Sequence, residues 1–453
     1  MLRRAPGSGA ANAEGRTEMG GIAARAVRAA LMLFLVAVLS GCSSTLSGTA
    51  RVATDAPDPD EANVALMDTG PYGTVPTHPF GTVGDDRIAQ GNLEGQRMAQ
   101  YVVGPWEIDS TLTKREGALH TAATGTIPTP DMMRLNDVAS PGIVAVAAKY
   151  NLVTGFSSIR MDPLPNSPQP GLALKNVVMR FPDPVAAAAA APEMAAALPA
   201  PLGAPPGRRI QFDRNPEAIA TAFEVPATAY LPAAEVVGSF TAHGPYVLYQ
   251  YVQSARGDLD FFRRNADVLA QACLDRQKRL IDQFVPTELS KLSELPLDPT
   301  GQLLAKTLNA PDNRVPWMIG AWNPRGWLHF EDDPLLSASL FTTAGVKTVS
   351  QRLTTVYEAD SAAGAAEIVD RFSQEIGKPA AVRPFGGVPG LPNARCFEQR
   401  DGLPADAAIS WQRIQWRYKC VARSDQYAFT AFSASPADVK EQIAAQYRIL
   451  SGE

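Results

Sequence analysis

The chain has 453 residues, of which 45% are hydrophobic and 19% charged, and its formal net charge is −5. A chain of this length can bury more than one hydrophobic core, and length alone indicates roughly two or three domains. Its 41 basic and 46 acidic residues give no electrostatic case for nucleic-acid binding, which needs a concentrated basic face, so no nucleic-acid partner is predicted.

The amino terminus has the three parts of a bacterial export signal. Arg25 and Arg28 form a positively charged region, an apolar run follows at 29–39, and the run ends at Cys42 after Leu-Ser-Gly. A membrane-spanning helix needs about 20 apolar residues, so this shorter run is typical of a signal peptide.

The Leu-Ser-Gly-Cys sequence ending at Cys42 resembles a bacterial lipobox, in which the cysteine sulfur is diacylated and the chain is cut just before it. It predicts a lipoprotein signal peptide at 1–41, starting at either Met1 or Met19, a lipid on Cys42, and a flexible polar tether at 42–62. Each buried methylene of an acyl chain contributes about 0.8 kcal/mol, so more than one chain anchors a protein stably. The expected location is the extracytoplasmic face of the cell membrane, within the cell envelope. The alternative is an ordinary secretory signal whose cysteine is incidental.

Two segments of the first half each predict a strand that leads into a helix. The first, NVVMRFPDPVAAAAAAPEMAAA at 176–197, is an apolar strand followed by Asp183 at an N-cap position, Pro184 in the first turn and an alanine-rich helix. The second, GPYVLYQYVQSARGDLDFFRRNADVLAQ at 244–271, is an aromatic-rich strand that leads into another helix.

The second half repeats this plan. RLTTVYEADSAAGAAEIVDRFSQEI at 352–376 is a strand and a helix with Asp360 as the expected cap, and DQYAFTAFSASPADVKEQIAAQYRIL at 425–450 is a strand and a helix that begins at Ser435. The predicted fold class is therefore α+β, with two related domains that each pack helices on an antiparallel sheet. The alternative is that any two α+β domains show this much likeness.

Proline-rich and polar residues at 295–316 separate the two halves. We therefore predict an N-terminal α+β domain at 63–312 and a C-terminal α+β domain at 313–453.

Three cysteines remain once Cys42 is assigned to the lipid. Cys396 and Cys420 lie in alternating segments that predict neighbouring strands, so we expect a disulfide bond between them, contributing about 3 kcal/mol on the chain-entropy model. Cys273 lies on the apolar face of a predicted helix, where a small buried hydrophobic thiol is expected rather than a reactive one.

The most unusual segment is PWMIGAWNPRGWLHFEDDP at 316–334, in which tryptophan recurs every five residues, and we call it the tryptophan segment. One interpretation is an aromatic ligand-contact surface, because indole faces stack on sugars and hold cations. The residues of this predicted contact set are Trp317, Trp322, Arg325, Trp327 and His329. The other interpretation, which we favour, is that the rings pack the junction between the two domains.

Sequence motifs that carry catalytic or metal chemistry are missing. The chain contains no HExxH, CxxC, P-loop, GxGxxG or GxSxG sequence. None of the four histidines lies within four residues of another histidine or a cysteine; they are His78, His120, His243 and His329. We therefore predict no catalytic residue, no metal and no cofactor.

Two clusters of acidic residues lack the pattern of a calcium site. Asp85-Asp86 and Glu331-Asp332-Asp333 both lack the alternating oxygen ligands and the glycine of a calcium loop. Each is expected to be a solvated turn.

Several segments together resemble an uncharacterised lipoprotein family common in mycobacteria, nocardiae and their actinobacterial relatives. They are the lipobox, LMDTGPYGTVP (66–76), EGQRMAQYVVGPWEID (94–109), VVMRFPDPVAAAAAA (177–191) and GAWNPRGWLHFEDDP (320–334). The resemblance runs across nearly the whole mature chain and implies an envelope lipoprotein with a larger N-terminal and a smaller C-terminal domain. The C-terminal half is also loosely similar in plan to the extracellular sensor domains of mycobacterial receptor kinases.

Two classes of function follow. The first is a non-catalytic envelope protein, held to the membrane by Cys42, that binds an envelope lipid or a protein partner. It predicts a cleft or an exposed apolar patch without convergent titratable groups. The second is a hydrolase or transferase acting on envelope lipid or glycan. That class requires a histidine or a carboxylate pair at a pocket, with His243 or His329 the first to test.

Overall fold

The computed structural model describes residues 61–115, 123–163, 170–229, 232–255, 265–309, 318–400 and 416–453. The predicted signal peptide, Cys42 and nearly all of the predicted tether lie outside these residues. The described residues contain two seven-stranded sheets, and every strand pair in them is antiparallel. The predicted α+β class with two sheet-and-helix domains is confirmed.

The N-terminal domain begins with helix α1 (Arg87–Ala99). Its strands are β1 (Gly125–Thr126), β2 (Thr154–Pro163), β3 (Pro170–Arg180), β4 (Arg208–Phe212), β5 (Asn215–Val225), β6 (Ala234–His243) and β7 (Tyr246–Ala255). Its other helices are α2 (Pro130–Leu135), α3 (Pro141–Lys149), α4 (Pro184–Ala196) and α5 (Ala266–Ile281). Short 3-10 helices lie at Val64–Leu66, Pro105–Glu107 and Leu289–Glu294.

The C-terminal domain is smaller. Its strands are β8 (Gly320–Trp322), β9 (Thr348–Gln351), β10 (Thr355–Glu358), β11 (Val382–Pro384), β12 (Arg395–Gln399), β13 (Tyr418–Ser424) and β14 (Tyr427–Ser433). Its helices are α6 (Pro324–Trp327), α7 (Pro334–Thr343), α8 (Ala362–Gly377) and α9 (Pro436–Ser451), with a 3-10 turn at Leu328–Phe330.

Helix starts follow the capping residues in the sequence, with one shift. Asp183 accepts the Ala186 N–H at 2.8 Å and begins α4, as predicted. Ser435 caps α9, also as predicted. The prediction of Asp360 as the cap of α8 is wrong by one residue, because Ser361 accepts the N–H of Gly364, while Asp360 accepts the Ser361 hydroxyl.

The two sheets have the same connectivity. The strand order is β1-β2-β3-β7-β6-β5-β4 in the first sheet and β8-β9-β10-β14-β13-β12-β11 in the second when both are read from their first strand. In each domain one helix follows the third strand, α4 or α8, and one closes the domain, α5 or α9. The structure thus places equivalent elements in equivalent positions in the two halves.

A single hydrophobic core spans both domains. It contains side chains of α1 and α5 from the N-terminal domain and of α7 and α8 from the C-terminal domain, together with the tryptophan segment. Helix α4 covers the other face of the first sheet, and α9 covers the other face of the second. The shared core therefore contains the closing helix of the first domain, α5, but the helix that follows the third strand of the second domain, α8.

The cysteines lie as predicted. Cys396 and Cys420 are directly opposite each other on β12 and β13, and their sulfurs are bonded. Cys273 on α5 is fully buried in the shared core, where burial raises the pKa of its thiol.

The first described residues contact the C-terminal domain. The Asn63 N–H donates to the Gly390 carbonyl at 2.7 Å, and the Tyr72 hydroxyl donates to Asp438 at 2.5 Å. Met67 is buried in the core beneath α9. This stretch, predicted to belong to the N-terminal domain at 63–312, contacts the C-terminal domain in the structure. None of the described helices is long and apolar enough to cross a membrane.

Candidate ligand-binding site

The tryptophan segment is a strand followed by two short helical turns. Asn323 caps α6 by accepting the Arg325 N–H at 2.9 Å, with Pro324 at the first helical position. Asp333 caps α7 by accepting two backbone N–H groups. These closely spaced caps bend the chain so that its aromatic side chains converge.

The indole rings of this segment are enclosed by other aromatic rings. Trp322 and Trp327 are 1% and 0% exposed, with ring centroids 6.0 Å apart. Phe330 lies 4.9 Å from Trp322 and 5.1 Å from Trp327, and Phe156 of β2 adds an edge contact. No face of either indole is open to a ligand in this structure, and the burial agrees with packing at the domain junction.

His329 is held as a neutral ring by the N-terminal domain. Its Nε2 lies 3.1 Å from the Ala99 carbonyl, which only accepts, so Nε2 donates and Nδ1 accepts from the Ser158 hydroxyl at 2.8 Å. Burial, followed by the charge of Arg325, lowers the pKa of His329 to about 3. A buried imidazole with both nitrogens bonded to protein is a structural group.

Arg160 of β2 fixes the backbone of the same segment. It is fully buried and donates to the carbonyls of Thr113 at 2.8 Å, His329 at 2.7 Å and Glu331 at 2.7 Å. Its guanidinium also lies 5.5 Å from the ring of Trp106. Burial lowers the pKa of Arg160 to about 9, so the side chain is still charged at neutral pH. A charged side chain of the first domain therefore sets the path of residues 329–331 in the second.

Arg325 lies at the edge of the junction and is partly exposed. It donates to the Gln100 carbonyl at 2.8 Å and to both carboxylate oxygens of Glu107 at 2.9 and 3.0 Å. Of the predicted contact set, the structure thus brings Trp322, Trp327 and His329 together in the buried junction and ties Arg325 to α1 and the turn after it. Trp317 lies outside the described residues.

A cavity of about 410 Å³ begins where the buried segment ends, and we call it the Glu331 pocket. Helices α7 and α8 and the second sheet form its walls. Its apolar lining comprises Phe330, Leu336, Phe372, Ile376, Trp416 and Phe432. Small-molecule sites usually measure about 300–1,000 Å³, and this cavity lies in that range. Its lining also includes charged side chains of both signs, among them Arg115, Asp332 and Lys419. A second cavity beside α1, of about 250 Å³, falls below that range.

Glu331 is buried at the inner end of the pocket. Its carboxyl accepts hydrogen bonds from Trp327 Nε1 at 2.6 Å, the Tyr357 hydroxyl at 2.9 Å and the Ser337 hydroxyl at 3.1 Å. Burial, and then the negative charge of Asp332, raises the pKa of Glu331. The prediction of a solvated turn at 331–333 is wrong for Glu331, because Arg160 draws this backbone into the junction.

Asp332 lies at the rim of the pocket between two cations. Its carboxylate is 3.3 Å from Arg115 and 3.3 Å from Lys419, and its side chain is 59% exposed. The nearby positive charges of Lys419 and Arg115 lower the pKa of Asp332 below its ordinary range. Asp332 is therefore held as a carboxylate.

Two family models match the chain. The model described as the N-terminal domain of unknown function DUF7373 matches residues 82–297, and the C-terminal one of the same family matches residues 303–453. The chain belongs to the DUF7373 family. The expectation of an uncharacterised family is confirmed. No curated protein matches the chain in sequence.

Among solved structures, the extracellular domain of PknH from Mycobacterium tuberculosis matches with a TM-score of 0.26 and 11% sequence identity, over 41% of this chain and 96% of that one. A likeness of this extent supports no conclusion about fold or function.

The histidine and glutamate side chains that catalysis would need are bonded to other protein groups in this DUF7373 chain. His243 lies 2.6 Å from Asp282 at a partly exposed position, whereas His329 is buried in the junction. Both oxygens of Glu331 accept hydrogen bonds from protein groups. Within the described residues, no group of three or more histidine, cysteine or acidic side chains could hold a metal ion.

Sequence reasoning missed most of the pocket of this DUF7373 chain. Phe372 and Phe432 lie 60 positions apart on a helix and a strand, and no sequence pattern links them. Trp416 and Lys419 lie close to Cys420 in the sequence, and this spacing is a local signal that an aromatic ring and a cation lie close together. The pocket differs from the expected cleft or apolar patch without convergent titratable groups, because charged side chains are part of its lining.

Proposed function

We propose that this protein is a lipid-anchored envelope protein, attached through Cys42, whose C-terminal domain binds a small molecule with an apolar body in the Glu331 pocket. An envelope lipid, or part of one, has the required chemistry. The protein acts by binding, outside the cytoplasm, and its family is expected in actinobacteria on the resemblance stated above.

The Glu331 pocket is the observation that carries this proposal. Phe372, Trp416 and Phe432 line the cavity and are 8%, 7% and 8% exposed, so each leaves a small apolar area uncovered. A ligand with an apolar body removes that area and its own surface from water, at about 25 cal/mol per Å² of apolar area. Aromatic walls suit either a ring or an acyl chain.

Binding is favoured over catalysis by the hydrogen bonds of Glu331. A general acid or base must reach its substrate, and three protein donors already occupy the Glu331 carboxyl. The hydrolase alternative therefore has no free acid among the groups that the structure places at the inner end of the pocket.

Two features support the proposed location. The Leu-Ser-Gly-Cys sequence ends an apolar run at Cys42, and the Cys396–Cys420 disulfide suits an oxidising compartment. Growth with alkyne-labelled palmitate should label the wild-type protein, and Cys42→Ala should abolish the label. Equal labelling of both proteins would contradict attachment at Cys42.

The binding proposal is tested with N-phenyl-1-naphthylamine, an uncharged dye that fluoresces in apolar sites. Residues 59–453, which form one compact unit, should bind it saturably. Ala381→Trp, which places an indole at the pocket lining, should abolish binding, and Ala363→Trp at an exposed position should not. Equal binding by both variants would place the dye elsewhere. Native mass spectrometry of protein purified from its own envelope then identifies the natural ligand.

A further inference from the structure

The rim of the Glu331 pocket holds two cations that share one carboxylate. Lys419 Nζ lies 3.3 Å from one oxygen of Asp332, and the Arg115 guanidinium lies 3.3 Å from the other. Both distances are long for charge-assisted hydrogen bonds, which are usually 2.7–2.9 Å. Asp332 thus neutralises the pair only in part, at a position where it remains in contact with solvent.

Arg115 directs a terminal guanidinium nitrogen toward Asp332 at the rim. A guanidinium carries five N–H donors in a planar fork that matches carboxylate, sulfonate or phosphate oxygens. The Nε is buried and has no hydrogen-bond acceptor among the described residues. An anion at the rim would therefore be bound by the terminal nitrogens.

The other acidic groups of the pocket are already engaged. Asp333 caps helix α7, Glu375 pairs with Lys378 at 2.5 Å, and Glu331 accepts three hydrogen bonds from protein groups. Among the described acidic groups of the pocket, Asp332 is thus the one that pairs with Lys419 and Arg115.

The two cations also stand in the right place relative to the apolar wall. Lys419 Nζ lies 5.9 Å from the ring of Trp416, which lines the cavity. A molecule with its apolar body against Trp416 would therefore bring a charged end within reach of Lys419. Arg115 belongs to the N-terminal domain and Lys419 to strand β13 of the C-terminal domain, so such a group would contact both.

We propose that the ligand is an anionic amphiphile whose negatively charged group is bound jointly by Lys419 and Arg115, across the two domains. This inference rests on the proposed function, because it assigns the head group of the molecule whose apolar body fills the Glu331 pocket.

The test compares two dyes that differ by one sulfonate, N-phenyl-1-naphthylamine and 8-anilinonaphthalene-1-sulfonate. Residues 59–453 should bind the sulfonate at least about tenfold more tightly, a difference of 1.4 kcal/mol. Lys419→Met should remove most of that preference and leave the uncharged dye unaffected. Lys149→Met is the matched control, since Lys149 also pairs with an acid, Glu193, but on the surface of the N-terminal domain.

Asp332→Asn gives the decisive arm of the test. Removing the competing carboxylate should tighten binding of the sulfonate and leave the affinity for the uncharged dye unchanged. If the ion pair had only a structural role, its removal would not tighten binding of the sulfonate. Equal affinity for both dyes, or weaker sulfonate binding by the Asp332→Asn protein, would overturn the anionic assignment while leaving the pocket itself supported. Failure of both dyes to bind would instead contradict the proposed function.

Discussion

Gln277 of helix α5 and Gln446 of helix α9 hold the backbone in the same way in the two domains. Both side chains are fully buried. The side-chain oxygen of Gln277 accepts the Val103 N–H, and its nitrogen donates to the Tyr101 carbonyl. The side chain of Gln446 makes the same two bonds, with the Leu308 N–H and the Lys306 carbonyl. All four distances are 2.8 Å. Together with the shared strand order, this match favours a common origin of the two domains over a chance likeness.

Replacing Gln446 with leucine should destabilise the protein by about 2–4 kcal/mol. The change leaves the Leu308 N–H and the Thr354 hydroxyl without their acceptor, and an unsatisfied buried polar group costs about 1–3 kcal/mol. Urea unfolding of residues 59–453 measures the difference. Gln374→Leu on the exposed face of α8 is the control and should change the free energy of unfolding by less than about 0.5 kcal/mol. Equal effects of the two changes would contradict a structural role for Gln446.

Glu94 is the buried carboxylate whose loss should cost most. It accepts hydrogen bonds from Arg180 and Arg97, both at 2.6 Å, and from the backbone and hydroxyl of Thr287. Glu94→Gln leaves the buried Arg180 without its counter-charge, so we expect a loss of about 3–5 kcal/mol by urea unfolding.

The matched control for Glu94 is Glu193, which pairs with Lys149 at 2.7 Å on the surface. Glu193→Gln should change the free energy of unfolding far less than Glu94→Gln, because exposed ion pairs contribute little. A small effect at Glu94, comparable with that at Glu193, would show that Arg180 does not depend on the carboxylate.

Cys273 should react with iodoacetamide only when the protein unfolds. Its thiol is fully buried and its pKa is raised by burial, so neither contact with reagent nor formation of thiolate is favoured. Mass spectrometry should find no label in native buffer and one label in urea, with the disulfide of Cys396 and Cys420 left oxidised. Rapid labelling in native buffer would contradict the burial of α5 in the shared core.

The buried His329 should make the protein less stable as the pH falls from 6.5 toward 3. Its pKa is about 3 in the folded protein and 6.5 as a free side chain, so over this range the unfolded chain binds a proton that the folded protein does not. One such proton gives a slope of about 1.4 kcal/mol per pH unit. Urea unfolding at several pH values should show this pH dependence of the free energy of unfolding in the wild type and not in His329→Gln. Parallel profiles would rule out His329 as its source.

Local sequence signals predicted the elements well because they act over a few residues. Asp183 and Ser435 began helices where capping chemistry requires it, and the alternating segments around Cys396 and Cys420 formed paired strands. The one shift, from Asp360 to Ser361, occurred where two adjacent residues can both cap.

The candidate site could be predicted only in part. The acidic cluster at 331–333 looked solvated because nothing nearby in the sequence indicates that Arg160, on a strand of the other domain, binds its backbone. Likewise, Arg115 and Lys419 meet at Asp332 from different domains. Contacts of this kind depend on how the domains pack.

The sequence by itself determined the strand-and-helix plan of both halves and the pair of cysteines suited to a disulfide, and it predicts an export signal ending at Cys42, since each depends on a short stretch of chain. Only the tertiary structure decided that the tryptophan segment is sealed and that a pocket opens beside it. The physical reason is that the two domains share one strand order yet turn different helix layers, α5 and α8, toward the common core. Side-chain packing across the junction decides which helix of each domain is buried there. The residues that make these contacts are far apart in the sequence, so no local pattern predicts them.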